Sequence, residues 1–284
     1  MSNKKRTQKL IVWFLILAVL FALALIIGGA ARSETIRQTM RDAVLHDENK
    51  ISLLGLKDVN PSVISGFTVT AILLLAAACV RIFAVPRFRY VPGKCQLLLE
   101  ELVGFFDRLA VSNSPHRHGF LGAYIFAAGV YICFGTLFEL FGLQAVTTHG
   151  MSIALPAPLA DINAAISMGC LSYLVILSGG IAGNGVKGVG LTLKDFSLPI
   201  SMSFRLFGAL LSGLLVTELV YYSIKLSFVL PVIVGVLFTL IHALMQTYVL
   251  TMLTALFYGE VSEPHPKKKK QKKGKKAVPE EVLP

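Results

Sequence analysis

The chain has 284 residues, of which 55% are hydrophobic and only 15% charged, yet Lys and Arg outnumber Asp and Glu by 27 to 16, a net charge of +11. Ordinary globular chains carry roughly 25% charged residues. This balance excludes a water-facing enzyme domain, a disordered tail and a nucleic-acid module, and it asks where the excess positive charge sits.

A spanning helix needs about 20 mostly apolar residues. Residues 10–31 form the first such run, without Asp, Glu, Lys or Arg until its end, and Lys4, Lys5, Arg6 and Lys9 precede it. Gly28, Gly29, Ala30 and Ala31 give it the small-residue end of a signal peptide. Its length exceeds the usual signal core of about 7–15 residues, so it reads as a retained anchor. In both cases the residues after it emerge outside.

Residues 59–80 form the second clean run. Over residues 90–114 the pattern changes: Leu98, Leu102, Phe105, Phe106 and Leu109 recur at helical spacing, with Gln96, Glu100, Glu101, Asp107 and Arg108 between them. This stretch is too polar to span. It reads as an amphipathic helix lying along the membrane interface, or as one packed on a partner. Residues 119–138, 162–186 and 226–259 are further apolar runs. Residues 191–223 form another, interrupted by Lys194, Asp195, Arg205 and Glu218. The expected fold is an all-α integral membrane protein with five to six membrane helices, one interfacial helix, and the last two long helices paired as a hairpin.

With the N-terminus inside and six spans, the inner segments hold 20 of the 27 basic residues. That bias places both termini inside. The run of lysines from Lys267 to Lys276 reads as a solvated topology anchor that also favours anionic lipid; no nucleic acid is expected as a partner.

Several motif-like features carry little. Residues 183–188 satisfy G-x-G-x-x-G literally, but no strand precedes them, so a flexible loop is expected rather than a nucleotide site. Cys79, Cys95, Cys133 and Cys170 lack metal-ligand spacing and read as small core residues. His116 and His118 fall in a Pro-containing basic loop and read as solvated. No nucleophile elbow, zinc box or P-loop occurs, so neither a cofactor nor a metal is expected.

Arg205 is the charge that needs a reason. An Arg at a bilayer centre costs about 2.5–3.5 kcal/mol on insertion scales, and this one lies far from either end of its apolar run. Positions 201, 205, 208 and 212 share one helical face and read Ser, Arg, Gly, Ser, small residues that let a neighbouring helix come close. An Arg keeps its proton. It does not relay one, but it holds a nearby carboxylate ionised. No acidic residue of the chain is evidently placed as its partner, which points to one on another subunit.

The stretch from Leu193 to Gly208, Leu-Lys-Asp-Phe-Ser-Leu-Pro-Ile-Ser-Met-Ser-Phe-Arg-Leu-Phe-Gly, resembles the signature of subunit a of F-type ATP synthases. Three further stretches agree in order: Val91 to Gln96 with Glu100, then Pro158 to Asn163 as P-x-x-D-x-N, then Gln246 with Thr254, Tyr258, Gly259 and Glu260. The resemblance covers roughly residues 60–262.

It implies a non-catalytic, ion-translocating subunit in which Arg205 faces the ring of c subunits and meets each rotor carboxylate in turn. Two offset half-channels would bring protons to the ring and take them away. Gln246 would neighbour Arg205, Asp161 and Asn163 would line the outer half-channel, and Ser201, on the Arg205 face, would belong to the proton path. The implied partners are the c-ring, peripheral stalk subunit b, the F1 sector through the stalk, and the lipid bilayer of a bacterial cell membrane.

The chain also departs from the family pattern. Ala209 stands where many members have Asn, and Leu214 where a carboxylate is common. Glu218, one turn further on, is the expected replacement. Thr239 occupies a position sometimes held by His, while His242 lies four residues before Gln246. An antiparallel pairing of Arg205 with Gln246 would set His242 opposite Ala209 and Glu218 opposite Ile233. Glu139, near the outer end of its span, is a further channel candidate.

The expected division is an anchor or signal segment over 1–31, an external loop over 32–58, a membrane domain over 59–262 and a basic cytoplasmic tail over 263–284. Two rivals come from other classes: a secondary ion or anion transporter using a midplane Arg, which would show inverted repeats and broken helices, and a membrane-embedded hydrolase, which would need paired catalytic groups on facing helices; none of these features is evident.

Overall fold

The computed structural model describes residues 11–16, 18–19, 41, 50–53, 56–147, 152–222 and 230–263. Most of the first apolar run, the lysine-rich tail and Lys225 lie outside them, as does the side chain of Glu218.

Helix α1, Pro61–Cys79, starts where Asn60 Oδ1 accepts from Ser62 N at 3.0 Å and Pro61 supplies a preset φ at the first helical position. Pro86 has no N–H to give the turn behind it, and here the helix changes to a π turn over Val80–Ala84 and a 3-10 turn over Val85–Arg87. Helix α2, Lys94–Asn113, is the amphipathic one. Gln96 starts it by mimicking a peptide group: its Oε1 accepts from Arg89 N at 3.0 Å and its Nε2 donates to Arg89 O at 2.9 Å. Phe106 and Ala110 are buried, whereas Leu98, Leu102 and Phe105 face outward.

Helix α3, His118–Leu137, runs into a 3-10 turn over Phe138–Phe141 and a hairpin of β3, Gln144–Val146, and β4, Ser152–Ala154. An earlier antiparallel pair, β1 at Ile51–Leu53 and β2 at Leu56–Val59, precedes α1. Helix α4, Ile162–Asn184, follows a 3-10 turn over Pro158–Ala160 and is capped by Asp161. Helix α5, Val186–Lys194, leads into α6, Ser197–Tyr222, and the chain returns through α7, Leu230–Ser262.

Among the described residues five helical segments are long and apolar enough to span: Pro61–Arg87, His118–Phe141, Ile162–Asn184, Ser197–Val216 and Val232–Ser262. The chain is a multi-pass α-helical membrane protein. At 33 residues, α7 is about 50 Å long, so it tilts or projects beyond a hydrocarbon core of about 30 Å.

α4 packs on α5, α6 and α7; α7 packs also on α3; and α6 and α7 form the expected hairpin. The core joins Leu121, Ile125 and Ile132 of α3, Ile176 of α4, Met202 and Leu206 of α6 and Leu250 of α7. A smaller cluster of Ile51, Val69, Phe138 and Leu155 ties both hairpins to the middle of α1 and the end of α3.

Glycines let α4 sit this close. A Cβ on Gly169 would collide with Ser203 Oγ and lie 2.9 Å from Pro199 O of α6. One on Gly179 would lie 2.5 Å from the ring of Tyr258 on α7.

Two expectations change here. Residues 183–188 are not a flexible loop: Gly185 turns the chain at φ +60° directly from α4 into α5, and Gly183 and Gly188 are close-approach positions. The cysteines are free, and Cys79, Cys95 and Cys170 are exposed rather than in the core.

Candidate functional site

Helix α6 separates two faces. Met202, Ser203, Leu206 and Leu210 are buried towards α4, while Ser201, Arg205, Gly208 and Ser212 are all exposed. A Cβ on Gly208 would meet nothing within 4 Å. Among the described residues the ion pair present is Arg108–Glu101 at 2.5 Å, and no carboxylate reaches Arg205. A permanent cation thus stands on a small-residue face that the described residues leave uncovered. The neighbouring surface is apolar: Ile200, Phe204, Ile241, Leu244, Met245 and Tyr248 are exposed around it.

Gln246, 7% exposed, donates from Nε2 to Arg205 O at 3.3 Å. The expected neighbours therefore meet, with the amide on the backbone carbonyl of Arg205. A carbonyl oxygen has two lone pairs, so it takes this bond beside its helical one. The bond pins α7 to α6 at the level of the charge and leaves the guanidinium outward.

His242 departs from the simple register. A Cβ on Gly213 would lie 3.1 Å from His242 Nδ1, which places the ring against Gly213 and one turn beyond Ala209. Side chains lean towards their own helix N-terminus, so in an antiparallel pair each reaches towards higher numbers on its partner. The ring of Phe238 lies 5.8 Å away. Glu218 stands on α6, 13 residues beyond Arg205 and hence about 20 Å along the axis.

At the opposite end of the bundle from the α4–α5 turn, Asp161 is buried and engaged twice. Its Oδ1 accepts from Asn163 N at 2.6 Å, capping α4, and its Oδ2 accepts from the side-chain amide of Asn60, which itself caps α1. Two helix starts are thereby clasped across 101 residues of sequence. The side chain of Asn163 is exposed, and Glu139 is half-buried in the 3-10 turn after α3. Asp161 and Asn163 are neighbours, while Glu139 belongs to the end of a different helix. No three His, Cys, Asp or Glu side chains gather as metal ligands among the described residues.

Sequence reasoning missed the clasp at the other end. His116 Nε2 lies 3.0 Å from Ser262 O, and Asn184 Nδ2 donates to Val261 O at 3.0 Å and to Glu263 O at 2.8 Å. These side chains satisfy the orphan carbonyls that end α7. His116, expected to be merely solvated, has a partner 146 positions away, a separation no local pattern reveals.

Comparison with known proteins agrees with the residues quoted above. The family described as ATP synthase A chain matches residues 64–259. Two curated relatives, each called ATP synthase subunit a, come from Cereibacter sphaeroides strains ATCC 17025 and ATCC 17029. Each is 25% identical over 199 residues, covering 66% of this chain and 76% of the relative.

Proposed function

The chain belongs to the ATP synthase A chain family, and from that premise we propose the work it does inside the synthase's membrane sector. It is a subunit of a multi-subunit complex, and its part is to carry protons to and from a ring of c subunits without itself making or breaking covalent bonds. Peripheral stalk subunit b holds it against rotation and links it to the F1 sector.

The observation that carries this reading is the exposed face of Ser201, Arg205, Gly208 and Ser212. A cation in an apolar setting is stable when a carboxylate comes to it, and the small residues let a rotor helix approach. Each rotor carboxylate arriving at Arg205 is held ionised, so it sheds its proton to one half-channel before moving on. Arg205 keeps its own proton and blocks a direct path between the half-channels. One charge crossing 100 mV supplies about 2.3 kcal/mol, so several protons pass for each ATP made.

Gln246 sets the level of Arg205. His242 lines the space beside Gly213, and Glu218 and Glu139 supply carboxylates to the outer half-channel. Asp161 and Asn163 stand at its mouth, Asp161 mainly as the clasp that holds α1 and α4 in place. Both termini lie in the cytoplasm, with 1–31 as anchor or signal segment, 32–58 as external loop, 59–262 as the membrane domain and 263–284 as a basic tail.

The test is Arg205→Ala in the assembled complex, read as ATP-driven acidification of inverted membrane vesicles. Coupled pumping is expected to vanish while the complex still co-purifies. Undiminished pumping sinks the reading.

A further inference from the structure

The second half of α1 and the first half of α2 stand apart from the rest of the fold. Val69 is the last buried residue of α1 and Phe106 the first of α2, so none of residues 70–105 is buried. Pro86 marks the corner between these two limbs, where α1 ends in its π and 3-10 turns. Large apolar side chains are nonetheless frequent on both. Leu74, Leu75, Ile82 and Phe83 on one limb and Leu97 and Leu98 on the other are all exposed. Between Leu75 and Ile82 come Ala76, Ala77, Ala78 and Cys79, small side chains that make the helix surface shallow there.

The corner carries charge of one sign. Residues 59–99 contain no Asp or Glu, yet Arg81, Arg87, Arg89 and Lys94 all fall among them, and all four are exposed. Among the described residues the ion pair present is Arg108–Glu101, so none of the four is neutralised in that way. Glu100, the next acid along the chain, already accepts from Gln96 Nε2 at 2.7 Å. Gln96 also holds both backbone groups of Arg89. The backbone at the corner is therefore fixed before any ligand arrives.

A neutral lipid would cover the apolar limbs but leave four like charges side by side. An anionic phospholipid answers both needs. Its phosphate accepts charge-assisted hydrogen bonds from Arg and Lys, and its chains meet the apolar wall. Arg81 lies six residues before Arg87, about 9 Å along the axis, and its long stem snorkels towards the same polar level. One leaflet is about 15 Å deep, half the hydrocarbon core, which ten helical residues traverse. An acyl chain anchored at Arg87 thus reaches back to Ala77, within the shallow strip.

We propose that the α1–α2 corner is a binding site for one anionic phospholipid, its phosphate among Arg81, Arg87, Arg89 and Lys94 and its acyl chains along α1. The site is separate from the Arg205 face and does not depend on the rotor reading. It also differs from the lysine run at 267–276. A run of lysines attracts an anionic surface as a whole, whereas a fixed turn beside an apolar wall holds a single molecule. The bound lipid joins the two limbs and, by binding the folded chain, stabilises it.

The test is native mass spectrometry of the full chain in detergent, with dioleoylphosphatidylglycerol and dioleoylphosphatidylcholine as probes. The anionic lipid is expected to bind about tenfold more tightly than the zwitterionic one, and Arg87→Gln and Arg89→Gln are each expected to weaken it about fivefold. Arg87→Lys keeps the charge and is expected to retain most of the preference. Lys187→Gln, away from the corner, is expected to change nothing. Equal binding of the two lipids overturns the site. So does an unchanged preference in the Arg87→Gln, Arg89→Gln double variant, which would place the selectivity in the lysine run. Displacement of the lipid by glycerol 3-phosphate would make the corner a site for soluble phosphate and overturn the lipid. In membranes holding the whole complex, a benzophenone attached to Cys79, which is exposed, is expected to join to phospholipid on irradiation. A polypeptide adduct at Cys79 in its place would assign this face to a protein partner and likewise overturn the site.

Discussion

At the scale of single residues, the charge in the wrong solvent was legible and the clasps were not. Arg205 stands out because an ionised side chain in an apolar run needs a reason wherever the helix packs. Asn60 gives no such signal, since its worth depends on Asp161, 101 positions away. Each cap removed is expected to cost about 1 kcal/mol. Asp161→Ala and Asn60→Ala should both lower the thermal stability of the detergent-solubilised protein, measured by loss of the folded monomer on heating. The double variant should lose less than the sum of the two, because the pair shares one bond. Strict additivity would mean the clasp contributes nothing beyond two separate caps.

At the scale of elements, helix existence followed from apolar run length, while helix faces did not. The amphipathic stripe of α2 was visible, yet the structure buries Phe106 and Ala110 and leaves Leu98 and Leu102 outward. A periodic pattern names a face without naming what covers it. The same holds for α4, whose apolar residues surround it on all sides. Gly169 reveals which side meets α6, because only a residue without Cβ fits against Ser203 and Pro199. Gly169→Ala is expected to push α6 away at a cost of about 1–3 kcal/mol, displacing Arg205 and lowering coupled pumping. Adding Ser203→Gly should recover part of the loss. Pumping of Gly169→Ala at the normal rate would show that the contact yields without moving the charge.

At the scale of the whole molecule, the excess basic charge carries a prediction about orientation. Twenty of the 27 Lys and Arg residues fall in the proposed inner segments, and such segments resist crossing the membrane. A fluorescent reporter that matures only in the cytoplasm should be bright when fused after Pro284, and an exported phosphatase fused there should be silent. The opposite pair of results would invert the topology and with it the assignment of outer and inner half-channels. Five spans were legible in the same way, since the bilayer fixes how long an apolar run must be.

What the chain determined by itself was therefore what the bilayer judges residue by residue: the spans, the misplaced Arg205 and the motif around it. Tertiary structure decided which residues meet. It set Gln246 on the backbone of Arg205, moved His242 from Ala209 to Gly213, committed Asp161 to two helix starts and gathered His116 and Asn184 at the end of α7. The reason is that insertion responds to local composition along one helix. Contacts between helices depend on side-chain direction and close approach, which no single segment encodes.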